Sequence, residues 1–206
     1  MKALAISGSA KKGGNTAFML KTVLEGLGKE GIQTELIELA DEEVKSCTAC
    51  YNCFKNKNNR CIIKDDNVNL YIQKLIEADI IILGSPVYLV DITPKLIAFM
   101  ERCGMVSIAN KYLLKRKIGA GIVVRYRRAG AIHGLDSINH FFLVEQMIVV
   151  GSNYLNIGVG RGSEATSLAD SEVDEEGIKT MIDLAQNISW LVKEKYQKCI
   201  QEDIKL

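Results

Sequence analysis

The chain alternates short apolar runs with longer stretches in which apolar residues recur at helical spacing. The short runs end abruptly in glycine, serine or charged residues, as buried strands do. Between them, Phe18, Leu20 and Leu24 illustrate the intervals of an amphipathic helix. The pattern predicts strands at 2–7, 33–39, 80–83 and 118–124 and a fifth at either 147–150 or 153–157. It predicts helices at 16–29, from near 68, from 93, at 134–145 and at 172–196.

Strands that alternate with helices predict a parallel sheet covered on both faces by right-handed crossovers. Five such strands suit the flavodoxin-like α/β fold with strand order 2-1-3-4-5, in which ligands bind at the carboxyl ends of the strands. At 206 residues, the chain fits a single domain over 1–206. One stretch departs from the alternation, at about 40–64, and is predicted to be an inserted cysteine-rich loop without secondary structure of its own.

The loop after the first strand has the character of a phosphate-binding loop. It is rich in glycine and hydroxyl groups and leads directly into a helix, whose N-terminus favours anions. It matches neither the Walker loop nor the dinucleotide fingerprint, so a monophosphate such as that of FMN suits it better. An ordinary turn with a helix cap is the alternative. The candidate ligands here are Ser7, Ser9, Lys11, Asn15 and Thr16.

Two further loops follow the third and fourth strands and should reach the same edge of the sheet. The first contributes Pro86, Val87, Tyr88 and Leu89, with an aromatic ring available to a flavin. The second contributes Arg125 and Arg128, whose guanidinium groups could face a flavin, a nicotinamide phosphate or a protein partner. An ordinary loop, or a solvated basic turn, is the alternative for each.

Four cysteines lie close together in the inserted loop. Cys47, Cys50 and Cys53 are three residues apart and Cys61 follows, a spacing that predicts one 4Fe–4S cluster. Zinc binding and free thiols are the alternatives, since zinc sites more often use two separated pairs. After the loop, Asp66 is predicted to cap the helix near Val68.

The balance of charged residues indicates which classes of binding partner are disfavoured. Lys and Arg number 26 and Asp and Glu 25, so neither nucleic acid nor an anionic membrane is favoured. Apolar runs are too short for a signal peptide or a membrane span, and a cytoplasmic location is expected. Neither histidine is assigned a catalytic role.

Together, Ser7-Gly8-Ser9 with Asn15-Thr16, the four-cysteine loop and Pro86-Val87-Tyr88 resemble the iron–sulfur flavoprotein family, a branch of the NAD(P)H-dependent FMN reductase superfamily. The resemblance covers nearly the whole chain. It implies FMN at the first two loops, a 4Fe–4S cluster on the four cysteines and a homo-oligomer, either a dimer or a tetramer.

The resemblance also implies that electrons come from a ferredoxin-like donor and pass through the cluster to FMN, and then to an acceptor such as dioxygen or peroxide. Lys11 stands where the family commonly has arginine, and it offers a point charge in place of a two-pronged donor. A cluster-free NAD(P)H-dependent FMN or quinone reductase is the main alternative. A flavin carrier without its own substrate is another.

Overall fold

A computed structural model of the chain describes residues 1–126, 129–160 and 174–203, with side chains of the last segment described to residue 194. Within these ranges one parallel sheet has the strand order β2-β1-β3-β4-β5, with β6 also paired to β4. This confirms the flavodoxin-like order predicted from the sequence. The strands are Lys2–Ser7 (β1), Gln33–Glu38 (β2), Ile80–Pro86 (β3), Ile118–Arg125 (β4), Ile148–Val149 (β5) and Ile157–Val159 (β6).

Helices cover both faces of the sheet because successive strand residues point to opposite sides. Ala3 and Ala5 of β1 belong to a core that includes Met19 and Met181, from the first and last helices. Leu4 belongs to a second core on the other face. The helices are Asn15–Lys29 (α1), Asn52–Asn56 (α2), Val68–Glu77 (α3), Pro94–Ala109 (α4), Ala131–Val144 (α5) and Glu175–Asp203 (α6). In the described part of the chain, no helix is both long and apolar enough to cross a membrane.

The fifth strand position is divided between two short segments, so both sequence alternatives are partly right. β5 pairs with the start of β4, through Ile118 and Gly119, and β6 pairs with its end. Between the two, the side-chain amide of Asn156 donates to the Gly121 carbonyl at 3.0 Å, in place of a ladder hydrogen bond. The two segments therefore extend the sheet edge to the carboxyl end of β4.

Two predictions about the cysteine loop are wrong in detail. The loop does have secondary structure, because α2 lies within it. The N-cap position of α3 belongs to Asn67, one residue later than predicted. Asp66 nevertheless caps the helix in part, because its Oδ1 accepts from the Val68 amide at 3.2 Å. Its other carboxyl oxygen is buried in an ion pair with Arg102 of α4. The predicted cap of α4 is confirmed, because the Thr93 side chain accepts from the Leu96 amide and Pro94 follows it.

Candidate functional site

The phosphate loop joins β1 to α1 and is held in a fixed conformation by its own serines. The Ser9 hydroxyl accepts from the Lys11 amide at 3.0 Å and donates to the Lys11 carbonyl at 3.1 Å. The Ser7 hydroxyl accepts from the Ser9 amide at 3.4 Å. Ser7 is fully buried, so it supports the loop from beneath. Gly14 occupies the N-cap position of α1 and brings no side-chain cap, so the amides of the first turn are not capped by a side chain at that position.

Tight packing fixes this loop against the start of α4. The Gly8 amide donates to the Gly84 carbonyl at 2.8 Å, and the Thr93 hydroxyl donates to the Gly8 carbonyl at 2.7 Å. A Cβ on Gly8 would lie 2.6 Å from the Leu96 Cβ, so only glycine fits there. The β1 loop and the N-terminus of α4 are therefore a single rigid corner.

The loop after β3 turns sharply beyond the residues that line the cleft described below. Tyr88 pairs with Asp91 in an antiparallel bridge, and Leu89 and Val90 take positive φ angles of 48° and 74°. A β-branched residue seldom adopts this conformation, and such strain is often found at functional sites. The turn directs Leu89 into solvent, where its side chain is fully exposed.

The loop after β4 lies against that turn. Gly130 has a φ of 92°, and a Cβ on it would lie 2.7 Å from the Cα of Val90. The Val87 amide donates to the Val124 carbonyl at 2.9 Å, and the Gly160 amide to the Arg125 carbonyl at 2.9 Å. These bonds align the β3, β4 and β6 ends along one edge.

The three loops enclose one cleft at the carboxyl edge of the sheet. Most of the predicted cofactor residues meet there, but two do not: Ser7 lies beneath the loop and Leu89 projects away. Arg128 lies outside the described residues. The lining residues are Ser9, Lys11, Gly14, Asn15, Thr16, Pro86, Val87, Tyr88, Val124, Arg125, Tyr126 and Gly160.

Sequence reasoning missed one carboxylate beside this cleft. Glu38, the last residue of β2, accepts from the Gly13 amide at 2.7 Å. Gly13 has a φ of 62°, so its amide points out of the loop toward the neighbouring strand. The interaction fixes the outer turn of the phosphate loop. Its only sequence signal is that β2 neighbours β1 in the predicted order.

The four predicted metal-binding cysteines line a second, separate recess. Cys47, Cys50 and Cys53 surround it with Cys61, and Cys53 lies on α2. Ala49 and Tyr51, which alternate with the first three cysteines, have positive φ angles of 51° and 54°. These left-handed residues curl the segment so that successive thiols face the same interior. The remaining lining residues are Thr48, Tyr51, Ile62, Arg102, Met105 and Val106.

The thiols differ in their surroundings. Hydrogen bonds from Asn52 and Thr48 lower the pKa of the exposed Cys50 thiol, which favours the thiolate that binds metal. Burial raises the pKa of Cys53, and the nearby Cys47 and Cys61 thiolates raise it further. Such mutual repulsion among thiolates is relieved when iron binds them.

The recess brings together four thiols and one guanidinium group. In the described part of the chain, no three His, Cys, Asp or Glu side chains are arranged to hold one metal ion. The four thiols nevertheless surround a common space. Arg102 lines that space as well, and its buried Nε has no hydrogen-bond partner among the residues that the structure describes. Four thiols beside a buried N–H donor are the types of group that bind an iron–sulfur cluster.

Comparison with known proteins agrees with this geometry. A family model described as NADPH-dependent FMN reductase matches residues 1–162. An iron–sulfur flavoprotein of Methanocaldococcus jannaschii is 36% identical over 199 residues, which are 94% of this chain and 98% of that protein. RosB, solved with a bound 8-demethyl-8-formylriboflavin-5′-phosphate, has a TM-score of 0.69 at 16% identity, covering 100% of this chain and 87% of that one. An archaeal flavodoxin has a TM-score of 0.54 at 18% identity, covering 90% and 97%.

The fold and the family match define the class of the protein, a flavin-dependent oxidoreductase with a flavodoxin-like fold. Within that class, the chain belongs to the iron–sulfur flavoprotein branch of the NADPH-dependent FMN reductase family.

Proposed function

We propose that this protein binds FMN in the three-loop cleft and a 4Fe–4S cluster on Cys47, Cys50, Cys53 and Cys61, and transfers electrons between the two. The convergence of four thiols on one recess is the observation that carries the proposal. The relatives' name, iron–sulfur flavoprotein, supports the same pair of cofactors.

The cleft has the chemistry that FMN requires. Its phosphate would bind at the N-terminus of α1, where Ser9, Asn15 and Thr16 supply polar groups and Lys11 supplies a positive charge. Pro86, Val87 and Tyr88, from the loop after β3, line the opposite wall. Bound there, FMN can exchange one or two electrons.

In the second recess, four thiolates would bind the cluster, which supplies one-electron transfer. We infer the route from a ferredoxin-like donor through the cluster to FMN, and then to an acceptor such as dioxygen or peroxide. Among the described residues, none lines both the FMN cleft and the cysteine recess. Separate sites suit a protein whose two cofactors exchange electrons with different partners.

The surface beside the cysteine recess supports a homo-oligomer, a dimer or a tetramer. An apolar groove between α4 and α5 borders Cys47 and Tyr51 and is lined by Ile97, Met105 and other apolar side chains. Tyr51 is 57% exposed and Val144 59%, although both are large and apolar. Burial of such a surface against another copy would remove apolar area from water and shield the cluster.

Anaerobic purification with assays of iron, acid-labile sulfide and extracted flavin tests the proposal directly. We expect about four irons and four sulfides per chain, the content of one 4Fe–4S cluster, together with FMN and no FAD. A protein that carries flavin but no iron or sulfide after anaerobic reconstitution would contradict the cluster assignment. Zinc in place of iron would contradict it equally.

Replacing Ser9, Asn15 and Thr16 by Ala together tests the cleft. FMN affinity should fall at least a hundredfold, because several charge-assisted hydrogen bonds to the phosphate are lost and each is worth about 1.5–3 kcal/mol. Thr22→Ala is the matched control, since its hydroxyl lies on the same helix but bonds the Phe18 carbonyl at 3.1 Å. Unchanged affinity in the triple variant would show that FMN binds elsewhere.

The second candidate is a cluster-free NAD(P)H-dependent FMN or quinone reductase. The match of residues 1–162 to the NADPH-dependent FMN reductase model favours it. Stopped-flow mixing of iron-stripped protein with NADPH or NADH distinguishes the two. Slow, incomplete flavin reduction is expected if electrons normally enter through the cluster, whereas rapid stoichiometric reduction would favour the reductase.

A further inference from the structure

Arg102 is an unusual residue in this fold, because its charged side chain is completely buried. It projects from α4, and its side chain and that of its ion-pair partner Asp66 are both 0% exposed. Removing a charge from water costs several kcal/mol unless partners compensate for it. The contacts of Arg102 therefore show which groups compensate for the burial of its charge.

Those contacts fall on both ends of the cysteine loop. Nη1 donates to Asp66 and, at 3.3 Å, to the Lys45 carbonyl. Nη2 donates to the Ile63 carbonyl at 3.2 Å. Lys45 precedes the first cysteine and Ile63 follows the last, so one guanidinium group closes the loop at its base. Asp66 adds to this closure by accepting from the Lys45 amide at 3.4 Å.

The third side of the guanidinium group faces the recess. Arg102 lines it together with the four cysteines, and its buried Nε finds no hydrogen-bond partner in the described part of the chain. The guanidinium group also lies close to the Cys61 sulfur. A buried N–H without an acceptor costs about 1–3 kcal/mol. An anionic sulfur in the recess would remove that cost.

We infer that Arg102 is a positioning residue for the iron–sulfur cluster: its two Nη groups close the cysteine loop, its Nε–H donates to a cluster or thiolate sulfur, and its charge raises the reduction potential of the cluster. The inference rests on the proposed function, since it requires a cluster in the recess. Reduction adds one negative charge to the cluster. A fixed positive charge in a poorly solvated site stabilises that reduced form more than the oxidised one.

A purely structural ion pair would make a different prediction. It would affect folding and loop order but would leave the potential of a correctly assembled cluster unchanged. The reduction potential therefore separates the two roles, and the iron content of the purified protein reports on assembly alone.

The main test variant is Arg102→Met combined with Asp66→Asn. Neutralising both partners avoids a buried unpaired carboxylate, which by itself would destabilise the fold. Lys55→Met is the matched control, because it removes an exposed positive charge from the same loop. The measurements are iron and sulfide content, bound FMN, and an anaerobic redox titration followed by electron paramagnetic resonance.

Arg102 lines the recess and Asp66 does not, so the double variant removes the positive charge that lies nearer to the cluster. The ratio of reduced to oxidised cluster at a fixed potential should therefore fall at least tenfold, a shift of about 59 mV to more negative values for one electron. The ratio in Lys55→Met should change less than twofold, because solvent screens its charge. A double variant that assembles a full cluster at the potential of the control would overturn the inference. Wild-type protein without any cluster would instead contradict the proposed function.

If the double variant does not fold, Arg102→Lys tests whether Arg102 positions the cluster. It keeps the charge but loses Nε and the forked geometry. We expect it to retain FMN, to lose cluster iron at least tenfold faster to a chelator, and to keep a potential close to that of the wild type. Wild-type rates of iron loss would overturn the positioning role. A double variant that folds and binds FMN but fails to assemble the cluster would support only the closure of the cysteine loop by Arg102.

Discussion

Glu145 should make the stability of the protein depend on pH near neutrality. It directly follows α5 and is fully buried. One carboxyl oxygen accepts from the Ser107 hydroxyl, while Oε1 is buried and has no hydrogen-bond partner within the described ranges. Burial raises the pKa of Glu145 to about 7, although the hydrogen bond from Ser107 opposes the rise. The negative end of the α5 dipole acts in the same direction as burial.

The size of the effect follows from linkage. A rise in pKa from 4.5 to about 7 corresponds to about 3 kcal/mol, since each pKa unit is worth about 1.4 kcal/mol. Between these values the native state binds the proton more tightly than the unfolded state does. The contribution to the free energy of unfolding is therefore complete below pH 4.5 and is lost as pH rises through 7.

Glu145→Gln removes this dependence while keeping an oxygen acceptor for Ser107. The free energy of unfolding is measured with urea for the variant and the wild type at equal cofactor content. Between pH 5 and pH 8, the wild type should lose about 2–3 kcal/mol of this free energy relative to the variant. Glu101 and His140 line the same groove, so Glu101→Gln and His140→Gln are the controls. A difference that stays constant over this range would refute the reasoning.

Two further substitutions test other parts of the structure. Cys53→Ala should lose the visible absorbance of the cluster while keeping FMN. It should also loosen the oligomer and expose the middle of the cysteine loop to trypsin, whereas the base of the loop, held by Arg102, should stay resistant. Full iron and sulfide content would show that Cys53 is not a ligand. The expected cleavage sites are Lys55, Lys57 and Arg60. Thr93→Val should lower the free energy of unfolding by about 2 kcal/mol, because it removes the α4 cap and leaves the Gly8 carbonyl without its donor. A urea midpoint equal to that of the wild type would contradict the second expectation.

Local patterns were sufficient for much of the fold and for the placement of both sites. Strand–helix alternation predicted the sheet order because parallel strands joined by right-handed crossovers allow few topologies. The Thr93-Pro94 pair predicted the start of α4 because capping depends on neighbouring residues. The cysteine spacing predicted a common recess for the same reason, since a short chain segment limits how far its thiols can separate.

Predictions that depended on the surroundings of a residue succeeded less well. One Asp66 oxygen accepts from the Val68 amide at the start of α3, as its sequence context suggests, yet the other binds Arg102, 36 residues away along the chain. Leu89 belongs to a loop that lines the cleft, but two positive φ angles turn its side chain into solvent. Ser7 carries a hydroxyl group and was expected to bind phosphate, but it is buried beneath the phosphate loop.

The sequence by itself determined the order of the strands, the loops that meet at the carboxyl edge and the thiols available to a cluster. Each of these follows from periodicity or from the short length of chain between residues. Only the tertiary structure decided which charges are buried and what they face: Arg102 beside the thiols, Glu38 on the Gly13 amide, and Glu145 beneath an apolar groove. Burial and pairing depend on segments that are distant in the chain and are brought together only by packing, so no local pattern can specify them.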